Sequence, residues 1–281
     1  MNQNATNLIA FQGELGAYSH QACREVYPEM EVLPCQTFEA ALASVRAREA
    51  DLAMMPIENS TYGRVADLHR LLPTSGLYII GEHFVPVRIN LLGPVGATLE
   101  GVKTARSHTV LLGQVSKYLG KHGIQPVTGA DTAGSVREIA EAGDPSRAAM
   151  GSPLAGEIYG LDVIAEGIQD NDHNTTRFLV MSRQRIEAEP GDRDAMTSFI
   201  FEVRNVPAAL YKAMGGFATN GINMVKLESY MVDGRFTATQ FYAEIEGHPE
   251  DANVQHAFEE LGFFTKHMKV LGVFPRARER G

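Results

Sequence analysis

Short apolar runs alternate with amphipathic stretches through the first two thirds of the chain. The apolar runs have the length of buried strands and lie at 8–11, 32–33, 52–55, 103–105, 124–127 and 147–150. Helical periodicity follows them, for example over 38–45 and, as one helix, over 111–119. Strands that alternate with helices predict an α/β fold with a mostly parallel sheet. Extended segments predict that the chain crosses to a second lobe near residue 85 and returns near residue 161, which leaves a cleft between two lobes.

Thr37 is a predicted N-cap because it precedes an amphipathic stretch, and Ser152 is another because Pro153 follows it at the first helical position. Ser19 is also a predicted N-cap, because Ala22 and Val26 continue from it at helical spacing. A further helix is predicted to begin at Asp131-Thr132.

From Met196 the pattern becomes that of a smaller domain. Strands are predicted at 197–203, 224–231, 236–245 and 270–274, with helices at 207–220 and around 254–261 and a hairpin turn at Asp233-Gly234. The order βαββαβ is that of a ferredoxin-like unit. The charged segment before it contains Pro190-Gly191 and is typical of a linker. The predicted domains are therefore 7–183, a linker over 184–195, and 196–276.

Composition and charge exclude some classes of function. The formal net charge of −9 over 281 residues does not favour a basic surface that binds nucleic acid. An anionic ligand would need a local cationic pocket. Neither a signal pattern at the N-terminus nor an apolar run of membrane-spanning length occurs, so a cytoplasmic protein without membrane contact is expected. Cys23 and Cys35 form no CxxC pair and are expected to be reduced, buried thiols.

Polar side chains cluster where predicted strands meet loops. One cluster is the pentapeptide Asn174–Phe178, in which Arg177 could grip a carboxylate or could instead pack outward and pair with an acid. Thr175 should point to the opposite side of the strand from Thr176. A second cluster is the loop 56–63, where a carboxylate, an amide and two hydroxyls follow a buried strand. A polar turn that caps the next helix would explain only part of it.

Two weaker signals lie elsewhere in the first predicted domain. Gly13 and Gly16 precede a helix and could cradle an anion, although a plain strand-to-helix turn explains them better. Ser107 is a predicted N-cap, and Gln114 lies seven residues later on the same helical face, so both could face one ligand. An ordinary cap and a solvent-facing glutamine explain this pair equally well. His108 receives no role.

Three of these segments, in order, resemble prephenate dehydratases: 13–20 (Gly-Glu-Leu-Gly-Ala-Tyr-Ser-His), 56–60 (Pro-Ile-Glu-Asn-Ser) and 174–178 (Asn-Thr-Thr-Arg-Phe). The C-terminal pattern is similar to an ACT regulatory domain. The resemblance implies a two-lobed fold like that of type II periplasmic binding proteins, with the active site in the cleft. It implies decarboxylating dehydration of prephenate to phenylpyruvate in phenylalanine biosynthesis, without cofactor or metal. It also implies ACT-mediated homodimers or homotetramers that are inhibited by L-phenylalanine.

The resemblance also assigns residues. It maps the essential threonine to Thr176 and the conserved asparagine to Asn59, and we expect the substrate to contact Asn59, Ser60, Thr61, Ser107, Gln114 and Arg177. The effector segments of the family map to Ala208, Ala209, Leu210, Glu228 and Ser229. Here the sequence departs from the family, because it lacks the glycine at 208 and the Arg-Pro pair at 230–231.

Two rival functions remain open at this stage. Arogenate dehydratase carries out the same chemistry on the aminated substrate, and the sequence does not distinguish the two. A non-catalytic amino-acid sensor could reuse the two-lobed fold, but the presence of Thr176, Asn59 and Gln114 argues against it.

Overall fold

The computed structural model of the chain describes residues 6–171, 173–231 and 238–280. The chain divides into two compact units. Unit 1 comprises Met1–His69 and His83–Phe178, and unit 2 comprises Arg70–Glu82 and Leu179–Gly281. The predicted hairpin turn at Asp233-Gly234 lies outside the described residues.

The first sheet contains the first strands of the chain. Its strands are β1 (Leu8–Gln12), β2 (Glu31–Cys35), β3 (Leu52–Asn59), β4 (Gly63–Arg64), β5 (Tyr78–Pro86) and β11 (Thr175–Ser182). They are hydrogen-bonded in the order β2-β1-β3-β11-β5, with β4 beside β3. Because β1 is parallel to both β2 and β3, the carboxyl ends of these three strands meet at one edge of the sheet.

The second sheet forms the other lobe of unit 1. Its strands are β6 (Asn90–Gly93), β7 (Thr104–Ser107), β8 (Gln125–Thr128), β9 (Arg147–Gly151) and β10 (Asp162–Ala165), in the order β10-β6-β9-β7-β8. β7 is parallel to β8 and β9, whereas β6 is antiparallel to β9 and β10. The sheet is therefore mixed, and the prediction of a mostly parallel sheet was wrong for this lobe.

The crossings between the lobes follow from the sheet order. The chain leaves the first sheet after β5 and enters the second at β6, close to the predicted residue 85. It returns between β10 and β11, in residues 166–174, rather than near residue 161. The return is later than predicted because residues 162–165 still pair with β6.

Seven helices are described in the catalytic region: α1 (Tyr18–Val26), α2 (Phe38–Arg46), α3 (Ala66–Leu71), α4 (Thr109–Gln114), α5 (Ser116–His122), α6 (Thr132–Ala142) and α7 (Pro153–Tyr159). The side chains of Thr37, Asp131 and Ser152 each accept a backbone N–H at a helix start. The predicted caps at Thr37 and Ser152 are confirmed, and Asp131 caps the helix that was predicted to begin at Asp131-Thr132. The N-cap of α1, by contrast, is Ala17 without a side-chain bond, so the predicted cap at Ser19 was wrong.

The predicted single helix over 111–119 is two short helices that meet at Val115. The backbone of Val115 is not helical, with φ −126° and ψ 15°. Asp170 supports the break, because its Oδ2 accepts from Ser116 Oγ at 3.1 Å and from Lys117 N at 3.2 Å. Its own N–H donates to the carbonyl of Gln114 at 2.6 Å. The break places Gln114 at the end of α4.

Unit 2 contains the smaller sheet. Its elements are β12 (Ala195–Val203), α8 (Ala209–Thr219), β13 (Met224–Met231), β14 (Ala238–Glu246), α9 (Ala252–Phe264) and β15 (Thr265–Pro275). The strand order β13-β14-β12-β15, with antiparallel neighbours, is that of a ferredoxin-like sheet, as predicted. Helix α8 begins two residues after the predicted start at Pro207. Within the described residues, no helix has the length and apolar character needed to span a membrane.

The core of this sheet lies on the face that α8 and α9 cover. Phe199, Phe201, Phe217 and Phe241 are buried there together with Leu261. The compact unit is larger than the predicted domain 196–276, because it includes 70–82 and 179–194 as well. Gly272 helps to explain why residues 70–82 belong to this unit. A Cβ at residue 272 would meet the backbone of Ile79 at 1.9 Å, so β15 and β5 approach closely only because this residue is glycine.

Candidate active site

A chain of amide side chains joins the ends of β3 and β11 in unit 1. It starts at Asn59, whose Oδ1 accepts the backbone N–H groups of Thr61 and Tyr62 at 2.9 and 3.0 Å. These two donors fix the orientation of the amide, because only its oxygen can accept them. The Nδ2 of Asn59 therefore points the other way, and it donates to Asn174 Oδ1 at 2.7 Å and to Thr176 Oγ1 at 3.0 Å.

The chain of hydrogen-bonded amide side chains continues into the second lobe through Asn174. This side chain is 4% exposed, and its Nδ2 donates to Gln114 Oε1 at 2.7 Å. Since the oxygen of Gln114 accepts this bond, its Nε2 group points away from Asn174. The two N–H donors of this group can therefore bind a ligand. The fold brings together residues 59, 114, 174 and 176 at this point.

Thr176 is half-buried, and the amide chain determines how its hydroxyl can bond. Its oxygen accepts from Asn59, so its own proton is directed elsewhere. Within the described ranges, no acceptor for that proton is found in the protein. The hydroxyl of Thr176 can therefore donate a hydrogen bond to an oxygen atom of a ligand that lies against β11.

Ser60 and Thr61 have different roles at the end of β3. The hydroxyl of Ser60 donates to the carbonyl of His173 at 2.8 Å and accepts the N–H of Thr175 at 2.9 Å. Its backbone N–H also donates to the carbonyl of Thr175. Ser60 thus fastens the loop to β11, and its hydroxyl is already occupied. Thr61 is exposed, so its side chain is accessible to a ligand.

Arg177 lies on the opposite face of the sheet from Thr176. It is 3% exposed, and its Nη1 pairs with Glu58 Oε1 at 2.8 Å. The ring of Phe84 lies beneath the guanidinium, at 6.0 Å from its centroid. Consecutive residues of a strand point to opposite faces, so Thr176 and Arg177 cannot face the same ligand directly. Of the two alternatives for Arg177, the structure has the pair with an acid.

Ser107 is not positioned as the sequence predicted. It is the last residue of β7, and the N-cap of α4 is His108, whose ring accepts the N–H of Val110. Ser107 has 0% exposure, and its hydroxyl donates to the carbonyl of Met150 at 3.1 Å. The predicted cap was wrong, and a fully buried hydroxyl does not face a ligand. Ser107 is buried because β7 extends two residues beyond the predicted strand end at residue 105.

The glycine loop before α1 is shaped by its contact with the second lobe. Gly16 has φ +88°, and a Cβ there would lie 2.7 Å from Ala155 Cα. Its carbonyl accepts from Ser152 Oγ at 2.6 Å, and its N–H donates to His20 Nδ1 at 3.0 Å. Burial and the nearby Arg24 lower the pKa of His20, which favours the neutral ring that this acceptor role requires. The loop is therefore a close packing point between the lobes.

Two residues of the site were not selected from the sequence. Asn174 is the central member of the amide chain, and only its place in the pentapeptide 174–178 indicated it. Tyr62 is half-exposed, and its hydroxyl donates to the carbonyl of Val110 in the second lobe at 3.2 Å. An exposed tyrosine next to a polar loop was the available signal.

The predicted effector residues lie in unit 2. Ala208 is the N-cap of α8 and has φ 62° and ψ 11°, in the left-handed region that favours glycine. Ala209 is buried, and Leu210 packs against the core. Glu228 pairs with Lys226 at 3.4 Å, and Ser229 is exposed on the edge strand β13. The chain thus keeps the glycine-like backbone conformation at 208 although it has lost the glycine.

These observations define a class of protein: a two-lobed α/β ligand-binding body like that of type II periplasmic binding proteins, in a chain with a C-terminal ferredoxin-like domain. The sequence model of the family described as prephenate dehydratase matches residues 9–186. The chain belongs to the prephenate dehydratase family and is an enzyme of that family.

Three similar proteins place it more closely. A relative named bifunctional N-acyl-homoserine lactone acylase/prephenate dehydratase, from Komagataeibacter europaeus, is 46% identical over 97% of both chains. Arogenate dehydratase/prephenate dehydratase 1 of Arabidopsis thaliana is 36% identical over 95% of this chain and 71% of its own length. The crystal structure of prephenate dehydratase from Arthrobacter aurescens, in complex with L-Phe, aligns with a TM-score of 0.87 at 29% identity. That alignment covers 96% of this chain and 90% of the other.

Proposed function

We propose that the chain converts prephenate to phenylpyruvate, carbon dioxide and water. The observation that carries the proposal is the hydroxyl of Thr176, whose oxygen accepts from Asn59 and whose proton is therefore available to a ligand. The family membership supplies the reaction, and this hydroxyl supplies a donor for the group that must leave.

The reaction needs orientation and help at one oxygen atom. The bond between the ring and its carboxylate breaks, and its electron pair moves through the ring to expel the hydroxide at the far carbon. That hydroxide takes a proton and leaves as water, while the ring becomes aromatic. A threonine hydroxyl is a weak acid, so Thr176 acts by donating a hydrogen bond or by relaying a proton from water to the departing oxygen.

The other predicted contacts receive different roles. Asn59 orients Thr176, and Gln114 presents its Nε2 group to the substrate from the second lobe. Thr61 is accessible and can bind a polar group of the substrate. Ser60, Ser107 and Arg177 maintain the site rather than touch the substrate, since each has its polar group engaged within the protein.

Thr176→Ala tests this proposal. It removes the donor and leaves the backbone of β11 in place, so we expect the turnover number to fall by roughly two or more powers of ten. The fold should survive, which circular dichroism and thermal melting can check. A fully active Thr176→Ala protein would overturn the assignment.

We further propose that L-phenylalanine inhibits the enzyme through the ferredoxin-like domain, in a homodimer or homotetramer. The L-Phe bound to the Arthrobacter aurescens protein supports this, as does the left-handed backbone at Ala208. Initial rates with and without phenylalanine, together with calorimetric titration and sedimentation, test it. An unchanged rate with no heat of binding would contradict it.

Restoring the family's glycine gives a sharper test of the same site. A non-glycine residue in the left-handed region is strained by about 1–3 kcal/mol, and the larger backbone freedom of unfolded glycine offsets part of the relief. We expect Ala208→Gly to raise the free energy of unfolding by up to about 1 kcal/mol and to keep or tighten phenylalanine binding. A lower stability in urea titrations would show that the left-handed conformation is not the one in solution.

A second candidate activity is hydrolysis of the amide bond of N-acyl-homoserine lactones. The similarity to the Komagataeibacter europaeus relative over almost the whole of both chains favours it. Incubation with an acyl-homoserine lactone, followed by detection of the released lactone amine, tests it. A product that forms equally fast without the protein would exclude this activity.

A further inference from the structure

A cavity of about 580 Å³ lies between the lobes of unit 1, beyond the ends of β1 and β2. Its lining residues are Gln12, Gly13, Glu14, Leu15, Pro34, Cys35, Gln36, Asp131, Arg137 and Tyr159. The first seven come from the first lobe, and the last three come from α6, its cap and α7 in the second. None of them takes part in the amide chain.

A bidentate ion pair crosses this cavity. Both carboxylate oxygens of Glu14, in the first lobe, accept from one edge of the Arg137 guanidinium on α6. The distances are 3.0 Å from Nε and 3.3 Å from Nη2. The Nη1 atom of Arg137 faces away and pairs with Glu141 at 3.1 Å, one helical turn along α6. The side chains of Glu14 and Arg137 are 38% and 42% exposed, so water and small solutes can reach the pair.

The pair lies at the sheet edge that carries the candidate active site. β1 is hydrogen-bonded to β3, whose last residue is Asn59, and both strands end at this edge. On the facing lobe, Asp131 precedes Thr132, whose hydroxyl lies 3.5 Å from that of Ser107 just before α4. Helix α4 ends in Gln114, so the elements of the second lobe that carry Asp131 and Gln114 are neighbours.

The net negative charge of the cavity lining does not favour a ligand that carries only negative charge. Glu14 and Asp131 add two negative charges to the lining, against one positive charge from Arg137. An α-amino acid group does fit, because its carboxylate can take the guanidinium edge while its ammonium takes Glu14. Inserting such a zwitterion between the two side chains keeps every charge paired. The carboxylate of a keto acid can replace Glu14 at the guanidinium. The carboxylate of Glu14 then faces the ketone oxygen of the ligand, and no hydrogen bond forms because both groups are acceptors.

We propose that Glu14 recognises the amino group of an aminated substrate whose carboxylate takes the facing edge of Arg137, so that the enzyme accepts arogenate beside prephenate. This rests on the proposed function, and it assigns the choice of substrate to a residue outside the amide chain. The ring hydroxyl of either substrate lies toward Thr176, and its side chain, at the opposite end of the ring, lies toward Glu14.

The test compares kcat/KM for arogenate and prephenate in the full chain. In Glu14→Gln we expect the ratio of arogenate to prephenate efficiency to fall about ten- to a hundredfold, the usual result of losing one charged hydrogen bond. Glu141→Gln is the matched control, because it also removes a carboxylate from Arg137 but lies outside the cavity lining; its ratio should stay within about threefold of the wild type. Glu14→Asp should recover part of the ratio.

The outcomes separate this inference from the proposed function. A wild-type protein that converts neither compound contradicts the proposed function, and the inference falls with it. A wild-type protein that converts prephenate alone overturns only the inference. So does an unchanged ratio in Glu14→Gln, or an equal change in Glu141→Gln.

Discussion

The two faces of the β3 and β11 pair carry polar residues with opposite properties. On one face Glu58 and Arg177 form an ion pair, with the arginine buried. On the other, Asn59 and Thr176 form a hydrogen bond that leaves the threonine proton directed away from the protein groups around it. The residues are adjacent in sequence, so the alternation of strand side chains alone separates them.

The difference shows which polar residues can act on a ligand. The ion pair is compensated within the sheet and can stabilise the strands without outside help. The hydroxyl has a donor capacity that the described protein groups do not use. Burial and charge alone would select Arg177 as the residue that acts on a ligand. The direction of the hydrogen bond from Asn59 selects Thr176 instead.

The largest expected effect is on stability, from removing the buried cation. Arg177→Met leaves the carboxylate of Glu58 without this partner, and breaking a buried pair destabilises a protein by about 3–5 kcal/mol. We expect the lower end of that range, because Glu58 is partly exposed. Urea titration measures the loss. The turnover number of the folded fraction should change less than about tenfold; a loss as large as that of Thr176→Ala at unchanged stability would place Arg177 against the substrate.

A smaller effect is expected from reversing the hydrogen bond on the other face. Asn59→Asp keeps the acceptor for the N–H groups of Thr61 and Tyr62 but removes the donor to Thr176. The threonine would then donate its proton to the new carboxylate instead of to the substrate. We expect the turnover number to fall roughly ten- to a hundredfold, with stability changed by less than about 1 kcal/mol. Full activity would show that Asn59 does not orient the hydroxyl.

The smallest effect is expected at Thr175, which precedes Thr176 and points to the face of Arg177. Its bonds to Ser60 are made by its backbone, so Thr175→Val keeps them. Steady-state rates should stay within about twofold of the wild type, and stability within about 0.5 kcal/mol. A loss of activity like that of Thr176→Ala would mean that the two faces are not separated as described.

Local pattern was enough to predict the parts of the fold that local chemistry determines. Thr37 and Ser152 cap their helices as predicted, since a cap depends on residues three or four positions away. The βαββαβ order of the C-terminal domain followed from periodicity. The split between α4 and α5 did not, because it depends on Asp170, which is distant in sequence from Val115.

The site was predictable where motifs carry side-chain chemistry. Thr176, Asn59 and Gln114 were selected, and they lie together through Asn174. Strand alternation places both Thr175 and Arg177 on the opposite face of β11 from Thr176, so the position of Arg177 was also predictable. The prediction for Ser107 was wrong because β7 runs two residues further than predicted, which moves the hydroxyl from a helix cap into the core. The Glu14–Arg137 pair joins residues 123 positions apart, which no local pattern reveals.

The central claim is that the hydroxyl of Thr176 serves the departing oxygen of prephenate. The most direct measurement follows phenylpyruvate absorbance when prephenate is added to the purified wild-type chain, to Thr176→Ala and to Thr175→Val. We predict rapid product formation by the wild type and Thr175→Val, and a rate lower by roughly two or more powers of ten for Thr176→Ala. Equal rates for all three proteins, or no product from the wild type, would contradict the account.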